Sequence, residues 1–189
     1  MGPLVIHELA NVEAKTNIGA DVKIWAHAHI RSGASLGSNT IVGEGAYVGS
    51  GVSVGENSKI QNYALIYEPA KLGNGVFIGP GAVLTNDQFP RAVSPDGTQK
   101  SGDDWIPVGV TIETGASVGA GAICVAPVTI GAWAMIGAGA IVVKDVAPYA
   151  LVVGSPAKQI GWVGEAGIPL VEGSDGKFQC PSTGDTFEL

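Results

Sequence analysis

From Ile6 to Leu84 an aliphatic residue falls at every sixth position: Ile6, Val12, Ile18, Ile24, Ile30, Leu36, Val42, Val48, Val54, Ile60, Ile66, Leu72, Ile78 and Leu84. Four positions after each comes a small or β-branched residue, from Ala10, Thr16 and Val22 through to Val76 and Ala82. A period of six matches neither the 3.6 of a helix nor the alternation of a long strand. It matches very short strands separated by tight turns, with two inward positions per hexad. Three such hexads close one turn of a triangular parallel β-helix, and successive turns stack. Glycine directly follows the aliphatic residue at Gly19, Gly37, Gly43, Gly49, Gly55, Gly73 and Gly79, where the strand must bend sharply.

The beat lapses after Leu84 and returns out of phase at Ile106, Ile112, Val118, Cys124, Ile130, Ile136 and Val142. The stretch 87–105 is polar, rich in Gly and Pro, and too long for a plain connection. It is predicted to be an external loop leaving one corner of the solenoid. The expected architecture is an all-β parallel helix over residues 1–147, about seven turns and roughly 34 Å long at strand spacing. Residues 148–189 form a C-terminal extension, in which two alternating segments around Pro181-Ser182-Thr183-Gly184 predict a terminal hairpin. Cys124 lies on the beat and is expected to be a core thiol.

Only 14% of the residues are charged, well below the roughly 25–35% of a free-standing soluble surface, so other subunits are expected to cover part of the outside. A net charge of −7 with ten scattered Lys and Arg offers nothing to a nucleic-acid backbone. Residues 114–143 carry no charge and are long enough to cross a bilayer, but Pro127, repeated glycines and the six-residue beat argue against a membrane helix. The N-terminus lacks the pattern of a targeting signal, and Cys124 and Cys180 form no disulfide or ligand spacing. A reducing, cytoplasmic setting is expected.

The hexad pattern resembles the left-handed β-helix acyltransferases. That resemblance implies a left-handed coil, a homotrimer with active sites between subunits, and acetyl-CoA as donor lying along the prism. The segments "KIQNYALIYEPAKLGNGVFIGPGAVLTNDQFPRA", "IWAHAHI", "APYALVVGSPAKQIGW" and the Cys-Pro-Ser-Thr-Gly tail resemble bacterial N-acetyltransferases of nucleotide-linked 3-amino sugars. They look closest to those that acetylate the 3-amino group of UDP-2-acetamido-3-amino-2,3-dideoxyglucuronate for surface polysaccharides. This likeness implies that Asn86 sits at the catalytic centre with Asp87 beside it. It further implies substrate contacts from His29, Gln61, Asn62, Tyr67 and Arg91, and a position near the CoA phosphates for Lys158. Arg31 departs from the family pattern and is a candidate clamp for a sugar carboxylate or phosphate. Ala120 and Ala138, in "VGAGAI" and "IGAGAI" one full turn apart, leave backbone groups open to a pantetheine arm. No metal is expected.

The residues themselves add a chemical argument. The only histidines are His7, His27 and His29, all in the first two turns and well before Asn86. A hydroxyl acceptor needs a base to remove its proton. An amine with a pKa of about 8 is already partly nucleophilic at neutral pH, so an enzyme acting on it can work mainly by positioning and oxyanion stabilisation. Asn86 is suited to orient such an amine, while Asp87 can accept a proton or cap the turn. The competing acceptors are a dTDP-3-amino-3,6-dideoxyhexose or a sugar hydroxyl. The γ-type carbonic anhydrases share the fold and use three histidines, but here His27 and His29 are one residue apart and no His-x₄-His pair exists. A non-enzymatic scaffold would leave the loop beside Asn86 without a purpose.

Overall fold

In the computed structural model, which describes residues 3–174 and 176–189, two-residue strands alternate with four-residue turns. Each strand pairs in parallel with the strand one turn away, so that Ile24, Val42, Ile60 and Ile78 form one in-register column. Three faces result. The first runs from Val5–Ile6 through Lys23–Ile24, Ile41–Val42, Lys59–Ile60, Phe77–Ile78, Ser117–Val118 and Met135–Ile136 to Ala150–Val153. The second runs from Asn11–Val12 through His29–Ile30, Tyr47–Val48, Leu65–Ile66 and Val83–Leu84 to Ile123–Cys124 and Ile141–Val142. The third runs from Asn17–Ile18 to Val128–Ile130. The solenoid reaches about eight turns, one beyond the hexad count, because Ala150–Val153 adds a rung beside Met135–Ile136.

The aliphatic beat is the core. Ile24, Ile30, Ile60, Ile66, Ile78, Leu84, Ile112, Ile130 and Ile136 are all fully buried, with Ala28, Ala34, Ala46, Ala64, Ala70 and Ala82 filling the narrower places at the corners. Cys124 is part of this column and fully buried. Where a hydroxyl takes a small position it is satisfied: Thr40 Oγ1 donates to the Gly55 carbonyl at 3.2 Å, and Ser58 Oγ accepts from Val76 N at 3.2 Å. Two residues on the beat are not core. Ile6 is 43% exposed because no coil precedes it among the described residues. Ile106 is 86% exposed because the loop has not yet rejoined the solenoid, which resumes at Val110–Ile112.

The loop spans residues 85–109. Lys71 and Thr111 pair across it as though it were absent, and Val108 N donates to the Asn86 carbonyl at 3.0 Å, closing its root. An antiparallel bridge between Val93 and Gln99 and a 3₁₀ turn at Gly102–Asp104, capped by Ser101, organise it internally. Beyond the solenoid, Lys158–Trp162 pairs antiparallel with Ala150–Val153. The expected terminal hairpin is Phe178–Gln179 with Thr186–Phe187, joined by a third strand, Val171–Glu172. Ring contacts between Tyr149 and Phe187 and between Trp162 and Phe178 tie it to the last turns. The charge-free stretch 114–143 is a series of short strands, and no described helix is long and apolar enough to cross a membrane.

The outward residues differ by face. The third presents Asn17, Ser35, Ser53, Lys71, Thr111 and Thr129, whereas the second presents Asn11 and His29 in its first two turns and from there on Tyr47, Leu65, Val83, Ile123 and Ile141.

Candidate active site at the loop-bearing corner

Because coils repeat every 18 residues, each corner of the prism is a column of equivalent residues. The corner between the second and third faces stacks Glu13, Arg31, Gly49, Tyr67 and Thr85, followed one position on by Ser32, Ser50, Glu68 and Asn86. The corner amides point out of the ladder and need partners from elsewhere. Side chains of neighbouring coils supply them: Asn62 Oδ1 accepts from Glu44 N at 3.1 Å, Asn74 Oδ1 from Glu56 N at 2.9 Å, and Glu113 Oε2 from Ala132 N at 2.9 Å. Asn62 therefore has a capping task of its own, at the corner between the first and second faces.

Asn86 sits where the chain leaves this framework. Thr85 is fixed by N–H donation to the Cys124 carbonyl and by its Oγ1, which accepts from Ala126 N at 3.0 Å. With Val108 holding its carbonyl, half-buried Asn86 is anchored through its backbone on both sides. Asp87, next to it, accepts from Phe89 N at 2.8 Å and so caps the turn that starts the loop. Asp87 and Arg91 share an open recess of about 310 Å³ with Gln99, Lys100, Ser101 and Trp105. The Arg91 guanidinium donates to the Pro90 carbonyl at 3.0 Å.

A second polar cluster lies farther up the same corner. Glu13 Oε1 is 2.8 Å from His29 Nε2 and 2.7 Å from Arg31 Nε, while Glu13 Oε2 accepts from Ser32 N at 2.9 Å. The Ser32 N–H, and after it the His29 hydrogen bond, hold the Glu13 carboxyl below its ordinary range. Arg31 also donates to the Tyr47 hydroxyl at 3.2 Å, and the Tyr47 ring lies edge-on to His29 and tilted against Tyr67. Arg31 is thus already occupied on two edges. Sequence reasoning missed Glu13 and Tyr47. Stacking the chain in rows of 18 would have shown both, since it places Glu13 above Arg31 and His29 above Tyr47.

Within the chain these residues gather at two corners flanking the second face. Arg31, Tyr67 and Asn86 line one, with His29 on the face itself. Gln61, Asn62, Ala120 and Ala138 line the other, where Ala120 and Ala138 are exposed beside Gly121 and Gly139. Lys158 is exposed on the antiparallel strand and pairs with Val153. Among the described residues, no three His, Cys, Asp or Glu side chains gather as a metal site.

Comparison with known proteins accords with the geometry. The family pattern for bacterial transferase hexapeptides (six repeats) matches residues 15–50 and 51–86. That for the hexapeptide repeat of succinyl-transferase matches 33–68 and 109–144, and between the regions matched by the two patterns only 87–108, within the loop, is left out. No curated protein matches the sequence. Among solved structures, a hexapeptide-repeat acetyltransferase from Vibrio cholerae, complexed with acetyl-CoA, is 22% identical with a TM-score of 0.56, covering 70% of this chain and 72% of its own. The acetyltransferase domain of PglB from Neisseria gonorrhoeae, also with acetyl-CoA, is 24% identical with a TM-score of 0.42 over 84% of this chain and 58% of its own. A GDP-perosamine N-acetyltransferase from Caulobacter crescentus, with CoA and GDP-perosamine, is 23% identical with a TM-score of 0.31 over 84% and 56%. The Vibrio cholerae protein shares the fold of this chain. By its repeat, its solenoid and the two family patterns, the protein belongs to the bacterial hexapeptide-repeat transferases.

Proposed function

We propose that the protein transfers acetyl from acetyl-CoA to the 3-amino group of a nucleotide-linked amino sugar, with UDP-2-acetamido-3-amino-2,3-dideoxyglucuronate as the foremost acceptor. The observation that carries this reading is Asn86: a carboxamide, backbone-anchored at the loop root, with the nearest histidine of the chain, His29, three coils away. An amine acceptor needs orientation more than a strong base, and the Asn86 amide oxygen can accept one of its N–H groups. The amine then attacks the thioester carbonyl, the C–S bond breaks and CoA leaves as its thiol. The resemblance of the segment 59–92 to amino-sugar N-acetyltransferases supports the acceptor class.

The character of the faces supports a mode of assembly. The apolar second face is the one suited to pack against other copies, in a trimer, while the polar third face meets water. Packing along it carries the Ala120 and Ala138 corner of one subunit toward the Asn86 corner of the next. The residues of the two corners would then share one cleft, with acetyl-CoA along the small-residue corner and Lys158 near its phosphates. His29, Arg31, Tyr67 and Arg91 would face the acceptor, beside Gln61 and Asn62. A cytoplasmic location suits both substrates.

One observation favours a second reading, O-acetylation of a sugar: His29 is held by Glu13 as a base would be. It lies three coils from Asn86, about 14 Å along the axis at strand spacing, which favours the amine. CoA release with defined acceptors separates the two.

A further inference from the structure

Glu68 differs from the capping side chains at the corners in lacking a hydrogen bond for a buried oxygen. Five polar side chains at the corners, Glu13, Asn62, Asn74, Thr85 and Glu113, cap an amide of the adjacent coil. Glu68 Oε2 lies 2.2 Å from where a side chain on Gly49 would begin, the same kind of seat that Asn62 Oδ1 takes over Gly43 at 2.4 Å and Asn74 Oδ1 over Gly55 at 2.5 Å, but without the amide bond those two make. There it is buried without a hydrogen-bond partner. The other buried atom lacking a hydrogen bond, Arg31 Nε, has Glu13 at 2.7 Å, so Oε2 of Glu68 alone among the described residues has neither kind of partner. Gly49 is what makes this seat available. A buried carboxylate oxygen without a donor is costly and is kept where it serves another purpose.

Continuing the pairing of Leu65 with Val83 and Ile66 with Leu84 sets Glu68 one coil from Asn86 in the same column. The other candidate proton acceptors are already committed: Asp87 to Phe89 N, and His29 to Glu13 several coils away. Turning the Glu68 side chain out of the Gly49 seat, a change of rotamer, frees the carboxylate at the corner that carries Asn86.

We infer that Glu68 is a catalytic carboxylate that swings from its seat over Gly49 to take the proton from the acceptor's ammonium group. This rests on the amino-sugar reading above. The ammonium gives one proton to Glu68, which passes it to water. The free amine forms the C–N bond to the thioester carbonyl carbon. Collapse of the tetrahedral intermediate breaks the C–S bond, and the remaining surplus proton on nitrogen leaves with the thiolate as CoA thiol.

The test pairs activity with stability in the purified protein. Glu68→Gln and Glu68→Ala should each lower kcat/KM for the amino-sugar acceptor about 100-fold. The same variants should melt at or above the wild-type Tm, because Gln removes the charge from an unpartnered buried oxygen and Ala removes the oxygen itself. Both variants melting below wild type, with kcat/KM within about twofold, would make Glu68 an ordinary corner residue and overturn the inference. If the wild type acetylates no amino sugar, the acceptor assignment falls by itself. Melting still judges Glu68 in that case: a Tm loss in both variants overturns its role, and an unchanged or raised Tm upholds a carboxylate kept for function.

Discussion

The Glu13 carboxylate stands 2.8 Å from the His29 imidazole one coil away, and the same oxygen is 2.7 Å from Arg31 Nε. With the Ser32 N–H as the leading cause, the Glu13 pKa in the folded protein lies below its ordinary 4.5. A depressed carboxyl pKa contributes stability that is present above the unfolded value and lost as pH falls through the folded one. Thermal melts of wild type should therefore drop more steeply below about pH 4.5 than those of Glu13→Gln. Parallel curves for the two proteins would show that the cluster has no linkage to folding.

Gly119 and Gly121 are two residues apart yet should respond differently to a methyl group. A Cβ on Gly119 would lie 2.5 Å from Ala138 N and 2.7 Å from the Gly137 carbonyl carbon, backbone that cannot step aside. A Cβ on Gly121 meets nothing within 4 Å, and only its φ of +63° is unfavourable. Urea unfolding should show Gly119→Ala destabilised by about 3 kcal/mol and Gly121→Ala by about 1 kcal/mol. The reverse order would contradict the coil-to-coil spacing described.

Cys124 sits in the core column, and burial pushes its thiol up to about 12. Reactivity belongs to the thiolate. Iodoacetamide at pH 8 should leave the Cys124 peptide unmodified in the native protein and alkylate it in urea, as read by peptide mass spectrometry. Labelling of the native protein would mean that the column opens.

The proposed assembly through the second face predicts that Ile123→Lys gives a monomer, since it puts a charge in the middle of the apolar stripe. Thr111→Lys, on the polar third face, should change nothing. Light scattering after size exclusion would read a trimer for wild type and Thr111→Lys and a monomer for Ile123→Lys. A trimeric Ile123→Lys would move the interface elsewhere.

The core was legible because a parallel solenoid repeats one local environment: whatever suits Ile24 suits Ile60 and Ile78 one and more turns later. The loop was legible as an interruption. Its end was not, because Ile106 matches the beat in residue type while lying on a segment with nothing above or below it. The Glu13, His29 and Arg31 cluster and the seat of Glu68 over Gly49 depend on contacts between coils. A pattern read at period six does not display them, while one read at 18 begins to.

The central claim is tested most directly by CoA thiol release from acetyl-CoA, measured for wild type and Asn86→Ala. The acceptors are UDP-2-acetamido-3-amino-2,3-dideoxyglucuronate, its 6-hydroxy analogue, a dTDP-3-amino-3,6-dideoxyhexose and a matching sugar with a hydroxyl in place of the amine. The account predicts turnover with the amino sugars, fastest with the uronate, none with the hydroxyl acceptor, and a loss of about 100-fold in Asn86→Ala with the fold intact. Turnover of the hydroxyl acceptor alone, or an Asn86→Ala variant as active as wild type, would contradict it.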